Sequence, residues 1–312
     1  MLFQRTLYAG AAFLTLAGWL AAGAVDARAQ QTIIDASGRE VKISDTSRIL
    51  SIGGDITEIL YALHADDKII AIDSTSQFPG DALSKKENVG YLRALSAEGV
   101  LSTNPTLIIA AGDAGPPPVV AVLKSSSIPY VQVPDDKTPE GVAAKIRFIA
   151  KIVGREAAGE ALAKDVERDF ALLAEQRAQI TAPKRALFVL SVQNGRATIG
   201  GANTSADAML KLAGAENAAA GAHGYKPMAD EAGVDLVPDA IVTMQGGPSG
   251  PTTDGIITVK ALAQSPAVQN HRIIEMNGLY LLGFGPRCAR AARELMIALY
   301  PELALKRAST GE

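Results

Sequence analysis

The sequence predicts an α/β protein of two lobes with mainly parallel central sheets, joined by one long α-helix. Three observations lead to this prediction. Short apolar segments alternate with helical patterns between residues 48 and 133, and the alternation returns after residue 186. Residues 138–182 between them space their apolar positions as a helix does, with the period resuming beyond Gly154. The length of 312 residues also suits two domains of ordinary size.

Composition excludes several classes of protein. The chain carries 30 Lys plus Arg against 33 Asp plus Glu, without a basic run, which argues against nucleic acid as a partner. With 48% apolar residues it can build packed cores. One cysteine excludes an intrachain disulfide framework, and three scattered histidines argue against a His-rich zinc site.

Residues 1–29 have the pattern of a signal peptide. Arg5 supplies the positive charge, an apolar stretch runs over 7–24, and Ala27-Arg28-Ala29 offers a small-x-small cleavage site. A membrane anchor is the alternative, since about 18 apolar residues are just long enough to span a bilayer. The cleavage site and the polar segment behind it favour removal, so we expect an exported, soluble chain in a bacterial periplasm.

Residues 30–137 form the predicted N-terminal α/β lobe. Asp55 or Thr57 is placed to cap its first helix. Strands alternating with helices indicate a parallel sheet covered on both faces. We expect strands over 48–52, 69–72, 107–110 and 130–133, and helices over 56–63, 96–102 and 119–124.

The linking helix is predicted over 138–182, and the C-terminal lobe over 183–312. Thr138 is a candidate N-cap with Pro139 behind it. The stretch 155–180 alone would reach about 39 Å. Ligands of such two-lobed chains usually lie between the lobes, at the carboxyl ends of strands. We expect C-lobe strands over 186–191, 240–243, 272–276 and 280–282, a Gly-rich loop over 195–203, and helices over 205–213 and 288–300.

Catalytic signatures are scarce, and we predict that the chain is not an enzyme. It contains neither G-x-x-x-x-G-K-[ST] nor H-E-x-x-H. Ser249 lacks the spacing of a nucleophile elbow. The turn Gly283-Phe-Gly285 is similar to a dinucleotide fingerprint without its third glycine, and too little chain follows it for a nucleotide-binding half.

The most informative segment is 88–98, where Tyr91 follows Gly90 and precedes Arg93 by two positions. One interpretation is a surface aromatic with a stacked guanidinium. The other is a metal ligand, because a tyrosine phenolate binds ferric iron and is a known axial ligand of haem. A phenol has an ordinary pKa near 10, and both iron and a nearby guanidinium lower it.

Two segments resemble a known family. Residues 51–63 look like the first strand–helix unit of solute-binding proteins of ABC importers for iron complexes and cobalamin. Residues 88–102 resemble the periplasmic haem-binding members, and the resemblance extends from about Arg48 to Pro301. It implies that Tyr91 ligates the iron of ferric haem b, the transported ligand, and that Arg93 stabilises the phenolate. A ferric siderophore or cobalamin is the alternative cargo.

The resemblance also implies partners. A glutamate on each lobe would dock an inner-membrane ABC permease with its ATPase: Glu58 on the N-terminal lobe and Glu231 on the other, where neighbouring Asp230 leaves the register open. An outer-membrane haem receptor system would act upstream, and the chain would be a monomer. An ordinary solvated carboxylate is the alternative at either position.

The remaining candidate ligands have simpler interpretations. His223 lies in a loop from which it could reach the cleft, although a solvated loop histidine is favoured. His64 fits the end of a helix, and His271 precedes a strand. Cys288 opens the last helix, where we expect a buried, inert thiol.

Overall fold

The computed structural model describes residues 30–228, 236–245 and 251–303. The predicted signal peptide lies outside these ranges, and so does Glu231. Within the ranges described, none of the helices has the length and apolar character needed to cross a membrane.

The N-terminal lobe is a parallel sheet with helices on both faces, as predicted. The sheet has the strand order β5-β4-β3-β6-β7, and every pair in it is parallel. Its strands are β3 (Ile49–Ile52), β4 (Ile69–Ile72), β5 (Glu87–Asn88), β6 (Leu107–Ala110) and β7 (Tyr130–Gln132). Its helices are α1 (Gly54–Ala62), α2 (Ala82–Lys85), α3 (Ala97–Ser102) and α4 (Pro117–Ser125), with a 3₁₀ turn at Asp66–Lys68.

An antiparallel hairpin precedes this sheet and was not predicted. It pairs β1 (Gln31–Ile34) with β2 (Glu40–Ile43). Its buried side chains are those of Ile33, Val41 and Ile43. Val41 and Ile43 alternate with polar residues, as in a strand buried on one face, but the segment is too short and polar for this pattern to be recognised in the sequence.

The segment between the lobes consists of two helices, which corrects the single linking helix predicted over 138–182. Helix α5 (Pro139–Val153) begins at the predicted cap, where the Thr138 side chain accepts a hydrogen bond from the backbone N–H of Gly141. It ends at Gly154, whose φ of +67° is readily adopted only by glycine. Helix α6 (Glu156–Arg177) then packs back against α5, and its 22 residues span about 33 Å.

The C-terminal lobe has a mixed sheet. Its strand order is β11-β9-β8-β12-β13, with β10 pairing to β8, and β9 is antiparallel to both of its neighbours, β8 and β11. Its strands are β8 (Arg185–Gln193), β9 (Arg196–Gly200), β10 (Glu216–Asn217), β11 (Tyr225–Pro227), β12 (Ala240–Gln245) and β13 (Ile273–Asn277). Its helices are α7 (Ser205–Leu212), α8 (Thr253–Ile257), α9 (Pro266–Gln269), α10 (Gly278–Leu282) and α11 (Cys288–Leu299).

Two sequence assignments in this lobe are wrong. The Gly-rich segment 195–203 contains strand β9 rather than only a loop. The apolar run 280–282 belongs to helix α10 and not to a strand, because the side chain of Asn277 caps a helix there by accepting from the N–H of Tyr280.

One hydrophobic core continues through both lobes. Buried side chains of α5 and α6, such as Ile146 and Phe170, belong to the same cluster as Phe188 of β8 and Leu295 of α11. Helix α11 packs against both α6 and α7. Since interiors are closely packed, a shared core opposes large rotations of one lobe against the other.

Candidate functional site

Tyr91 lies in a loop that two buried leucines hold in place. The loop follows β5, and Gly90 takes a φ of +91° and accepts a hydrogen bond from the N–H of Ser74. Leu92 and Leu95 are 6% and 4% exposed and belong to the core of the N-terminal lobe. Tyr91 is 44% exposed, so the loop presents its ring to the outside while the leucines anchor the backbone.

A second loop, which carries Asp113, pairs with the Tyr91 loop. The N–H of Leu95 donates to the carbonyl of Gly115 at 2.9 Å, and the N–H of Gly115 donates to the carbonyl of Leu92 at 2.8 Å. The two loops follow β5 and β6, at the carboxyl edge of the parallel sheet where ligands of α/β proteins usually bind.

Arg93 joins the two loops through its side chain. Nη1 donates to the hydroxyl oxygen of Tyr91, and Nη2 donates to Oδ2 of Asp113. Burial works against the charge of Arg93, but Asp113 and Tyr91 outweigh it and raise its pKa above the ordinary value. A guanidinium fixed against a phenol oxygen stabilises the phenolate, which is the form that binds a metal.

Tyr225 of the C-terminal lobe is a further aromatic residue that was not singled out from the sequence. Its ring packs edge-on against Phe188, with centroids 6.2 Å apart, and the residue is 39% exposed. Burial raises the pKa of Tyr225, while hydrogen bonding at Ala206 and Thr204 and the charge of Arg93 act in the opposite direction. Tyr225 therefore lies within electrostatic range of Arg93, across the division between the lobes.

The histidines and the cysteine lie in separate parts of the fold. His223 lies two positions before Tyr225, with its Nδ1 3.2 Å from Nδ2 of Asn203. His64 follows α1 in a left-handed conformation, as its helix-end assignment requires. Cys288 is buried, as expected, and burial raises the pKa of its thiol to about 12. In the described part of the chain, no three His, Cys, Asp or Glu side chains are placed to hold a metal ion.

A cavity of about 520 Å³ separates the start of α5 from helix α7. Its walls include Asp135, Lys137, Asp207 and Lys211, together with Asn203 beside His223. The charged side chains of its walls are paired with one another, Lys137 with Asp135 and Lys211 with Asp207.

Glu58, the predicted docking residue of the N-terminal lobe, lies in the contact between the two lobes. Glu58 is 4% exposed. It accepts hydrogen bonds from Nε and Nη2 of Arg287, at 2.9 and 2.8 Å, and from the N–H of Arg287 at 3.2 Å. The Arg287 guanidinium also stacks on Phe78, 3.6 Å from the ring centroid, and lies 5.0 Å from that of Tyr280. This pair connects the two lobes.

Two α/β lobes, linked by a helical pair and carrying chemically distinctive side chains at strand ends, have the architecture of a binding protein. A family model described as periplasmic binding protein matches residues 49–278, and the chain belongs to this family. The family and the relatives below are solute-binding proteins rather than enzymes.

The relatives include haem-binding and cobalamin-binding proteins. The periplasmic heme-binding protein RhuT from Roseiflexus sp. RS-1, solved in its apo form, is 36% identical, with a TM-score of 0.77 over 83% of this chain and 100% of its own. The ABC transporter substrate-binding lipoprotein YvrC of Bacillus subtilis is 29% identical over 87% of this chain and 86% of its own length. A vitamin B12-binding protein of Vibrio parahaemolyticus is 24% identical over 80% and 87%.

Proposed function

We propose that this protein binds ferric haem b as its transported ligand, with Tyr91 as the axial iron ligand. The observation that carries the proposal is the contact of the Arg93 guanidinium with the Tyr91 hydroxyl, on an exposed loop at the carboxyl edge of the sheet. The likeness to RhuT, whose name states heme binding, supports the same cargo.

The chemistry of the two residues suits a carrier. A phenolate is a hard oxygen ligand for ferric iron, and Arg93 stabilises its charge without itself binding the metal. Tyr225 supplies an aromatic surface on the opposite lobe, against which a porphyrin face can pack. The single cysteine excludes a C-x-x-C-H attachment motif, so the haem is held reversibly.

The bound haem would pass to an inner-membrane ABC permease driven by its ATPase. This step is supported by the relative YvrC, which is named as an ABC transporter substrate-binding protein. The chain would act as a periplasmic monomer exported by its signal peptide, downstream of an outer-membrane haem receptor system. Glu231 is the docking glutamate that this proposal retains.

Cobalamin is the second candidate cargo, because vitamin B12-binding proteins are among the relatives. A ferric siderophore would also suit the fold. Neither of these ligands requires a phenolate, since the metal in each is already enclosed by the ligand's own donor atoms. Dependence of binding on the Tyr91 oxygen therefore separates haem from both.

The test is a hemin titration of purified protein and of Tyr91→Phe, which keeps the ring and removes the oxygen. Tyr61→Phe is the matched control, because the Tyr61 hydroxyl is buried without a hydrogen-bond partner among the described residues. We expect a Soret band with high-spin charge-transfer bands for the wild type and Tyr61→Phe, and loss of the charge-transfer bands for Tyr91→Phe. Cobalamin binding by a wild type that shows no Soret band would overturn the proposal.

A further inference from the structure

We propose that Asp113 is a positioning residue for iron ligation, acting through Arg93. This inference rests on the haem-binding function proposed above. The observation is that Arg93 divides its guanidinium between two oxygen acceptors: Nη1 donates to the Tyr91 hydroxyl and Nη2 to the Asp113 carboxylate. Asp113 is therefore the second anchor of the group that stabilises the ligand oxygen.

Arg93 needs a second anchor because its side chain is long and 54% exposed. A guanidinium with a single hydrogen bond can rotate about its flexible stem and exchange that bond for water. A planar guanidinium held by two nitrogens has a fixed orientation, and charge-assisted bonds of this kind are the strong ones. With Asp113 in place, Nη1 stays directed at the oxygen that becomes the iron ligand.

The backbone makes this arrangement a property of the fold rather than of two mobile loops. The hydrogen bonds between Gly115 and the pair Leu92 and Leu95 join the Asp113 loop to the Tyr91 loop. The N–H of Ala114 also donates to the carbonyl of Ala111, which closes a turn around Asp113. The loops that carry the carboxylate and the phenol are therefore joined through the backbone, and the Arg93 guanidinium bridges their side chains.

Asp113 has two opposing effects on Tyr91. Its negative charge repels a phenolate, whereas its contact with Arg93 holds the guanidinium that stabilises the phenolate. Asp113 is 48% exposed, and water screens a charge in that position from a group it does not touch. Its carboxylate contacts Arg93 directly, through Nη2 of the guanidinium. Positioning therefore outweighs repulsion, and loss of Asp113 weakens the ligation by Tyr91.

A double-mutant cycle on hemin binding tests the proposal. Asp113→Ala is expected to weaken hemin binding about three- to ten-fold and to shift the charge-transfer band of the iron. In an Arg93→Ala background the same substitution should have no further effect, because Asp113 acts only through Arg93. Asp113→Glu should restore the band, and Asp113→Asn, which keeps an acceptor oxygen, should lie between. Asp81→Ala is the matched control, since it removes an exposed carboxylate paired with Lys85 in the same lobe.

Two results would overturn the inference: an equal loss of affinity from Asp113→Ala with and without Arg93, or an unchanged charge-transfer band in the single variant. The isosteric Asp113→Asn carries the comparison if Asp113→Ala lowers the melting temperature. Failure of the wild type to bind hemin is a different outcome, which contradicts the proposed function itself.

Discussion

Glu58 in the N-terminal lobe and Arg287 in the C-terminal lobe form a bidentate ion pair that joins the lobes. Gly285 lies so close that a Cβ there would come within 3.3 Å of the Glu58 carboxyl carbon. A second close approach lies beside the pair, where a Cβ on Gly54 would meet Leu279 of the other lobe at 2.6 Å. The two lobes are therefore in close van der Waals contact around this ion pair, in addition to their connection through α5 and α6.

Removal of the Glu58 charge should destabilise the whole protein. Glu58→Gln keeps the side-chain volume but leaves Arg287 without its counter-charge, which for a buried pair costs about 3 kcal/mol of unfolding free energy. Urea unfolding measures the change, and Arg287→Met should abolish most of it in a double-mutant cycle. Glu160→Gln, in an exposed ion pair with Arg147, serves as the control and should change stability little.

The same variant also tests the docking role originally expected of Glu58. If Glu58→Gln loses haem transport while its unfolding free energy matches the wild type, the carboxylate serves the permease and not the contact between the lobes. We expect the opposite pattern, in which Glu58→Gln lowers the unfolding free energy. Its hemin affinity should fall only to the extent that the lost ion pair lets the two lobes move apart.

Tyr225 should matter to cargo binding through its ring. Tyr225→Ala removes an exposed aromatic surface of the C-terminal lobe and should weaken hemin binding about three- to ten-fold, the order expected for one lost aromatic contact. Tyr225→Phe keeps the surface and should bind as the wild type does. A hemin titration followed at the Soret band measures both. If Tyr225→Phe binds hemin as weakly as Tyr225→Ala does, the hydroxyl takes part in ligation and the ring alone does not explain the role of Tyr225.

The Cys288 thiol should make stability fall at high pH. Burial raises its pKa from the ordinary 9.0 to about 12, so the folded chain keeps the proton after the unfolded chain has lost it. The stabilisation is complete below pH 9 and is lost as the pH rises from about 9 to about 12, by at most about 1.4 kcal/mol per unit. Cys288→Ala should remove this slope.

Urea unfolding of both chains at pH 7, 9 and 10 gives the comparison for Cys288. The small cavity left by Cys288→Ala costs the same at every pH, so only the difference in slope counts. Parallel curves for the two chains would contradict the assignment. Alkylation by iodoacetamide at pH 8 should likewise be slow in the folded protein and fast in urea, because only the thiolate reacts.

Sequence patterns predicted the N-terminal lobe well because each of its central strands is a short apolar run. The cap predicted at Asp55 or Thr57 was wrong, since helix α1 begins at Gly54 after Gly53, without a side-chain cap. The strands β9 and β11 and the helix α10 were missed, since short apolar or Gly-rich segments do not distinguish strand from helix or loop. Tyr91 and Arg93 are neighbours in the chain, and their contact was expected. Asp113 and Tyr225 join them only through folding, which no local pattern reveals.

The burial of Glu58 could not be predicted from the sequence either. Its position on α1 gave no sign that it would be covered, because the covering residue, Arg287, lies 229 positions later. The periodicity of a helix reports which face is apolar and says nothing of a polar face that a distant segment buries by charge.

The residues that stabilise the Tyr91 loop are different from those proposed to bind the cargo. Leu92 and Leu95 meet the demands of the core, whereas Tyr91 and Arg93 contribute almost nothing to it. If Tyr91 and Arg93 bind the cargo as proposed, exchange of this pair would alter the ligand at little cost to the stability of the fold. An importer family built this way can acquire new nutrients by changing a few side chains, which agrees with the mixture of haem and vitamin B12 carriers among its relatives.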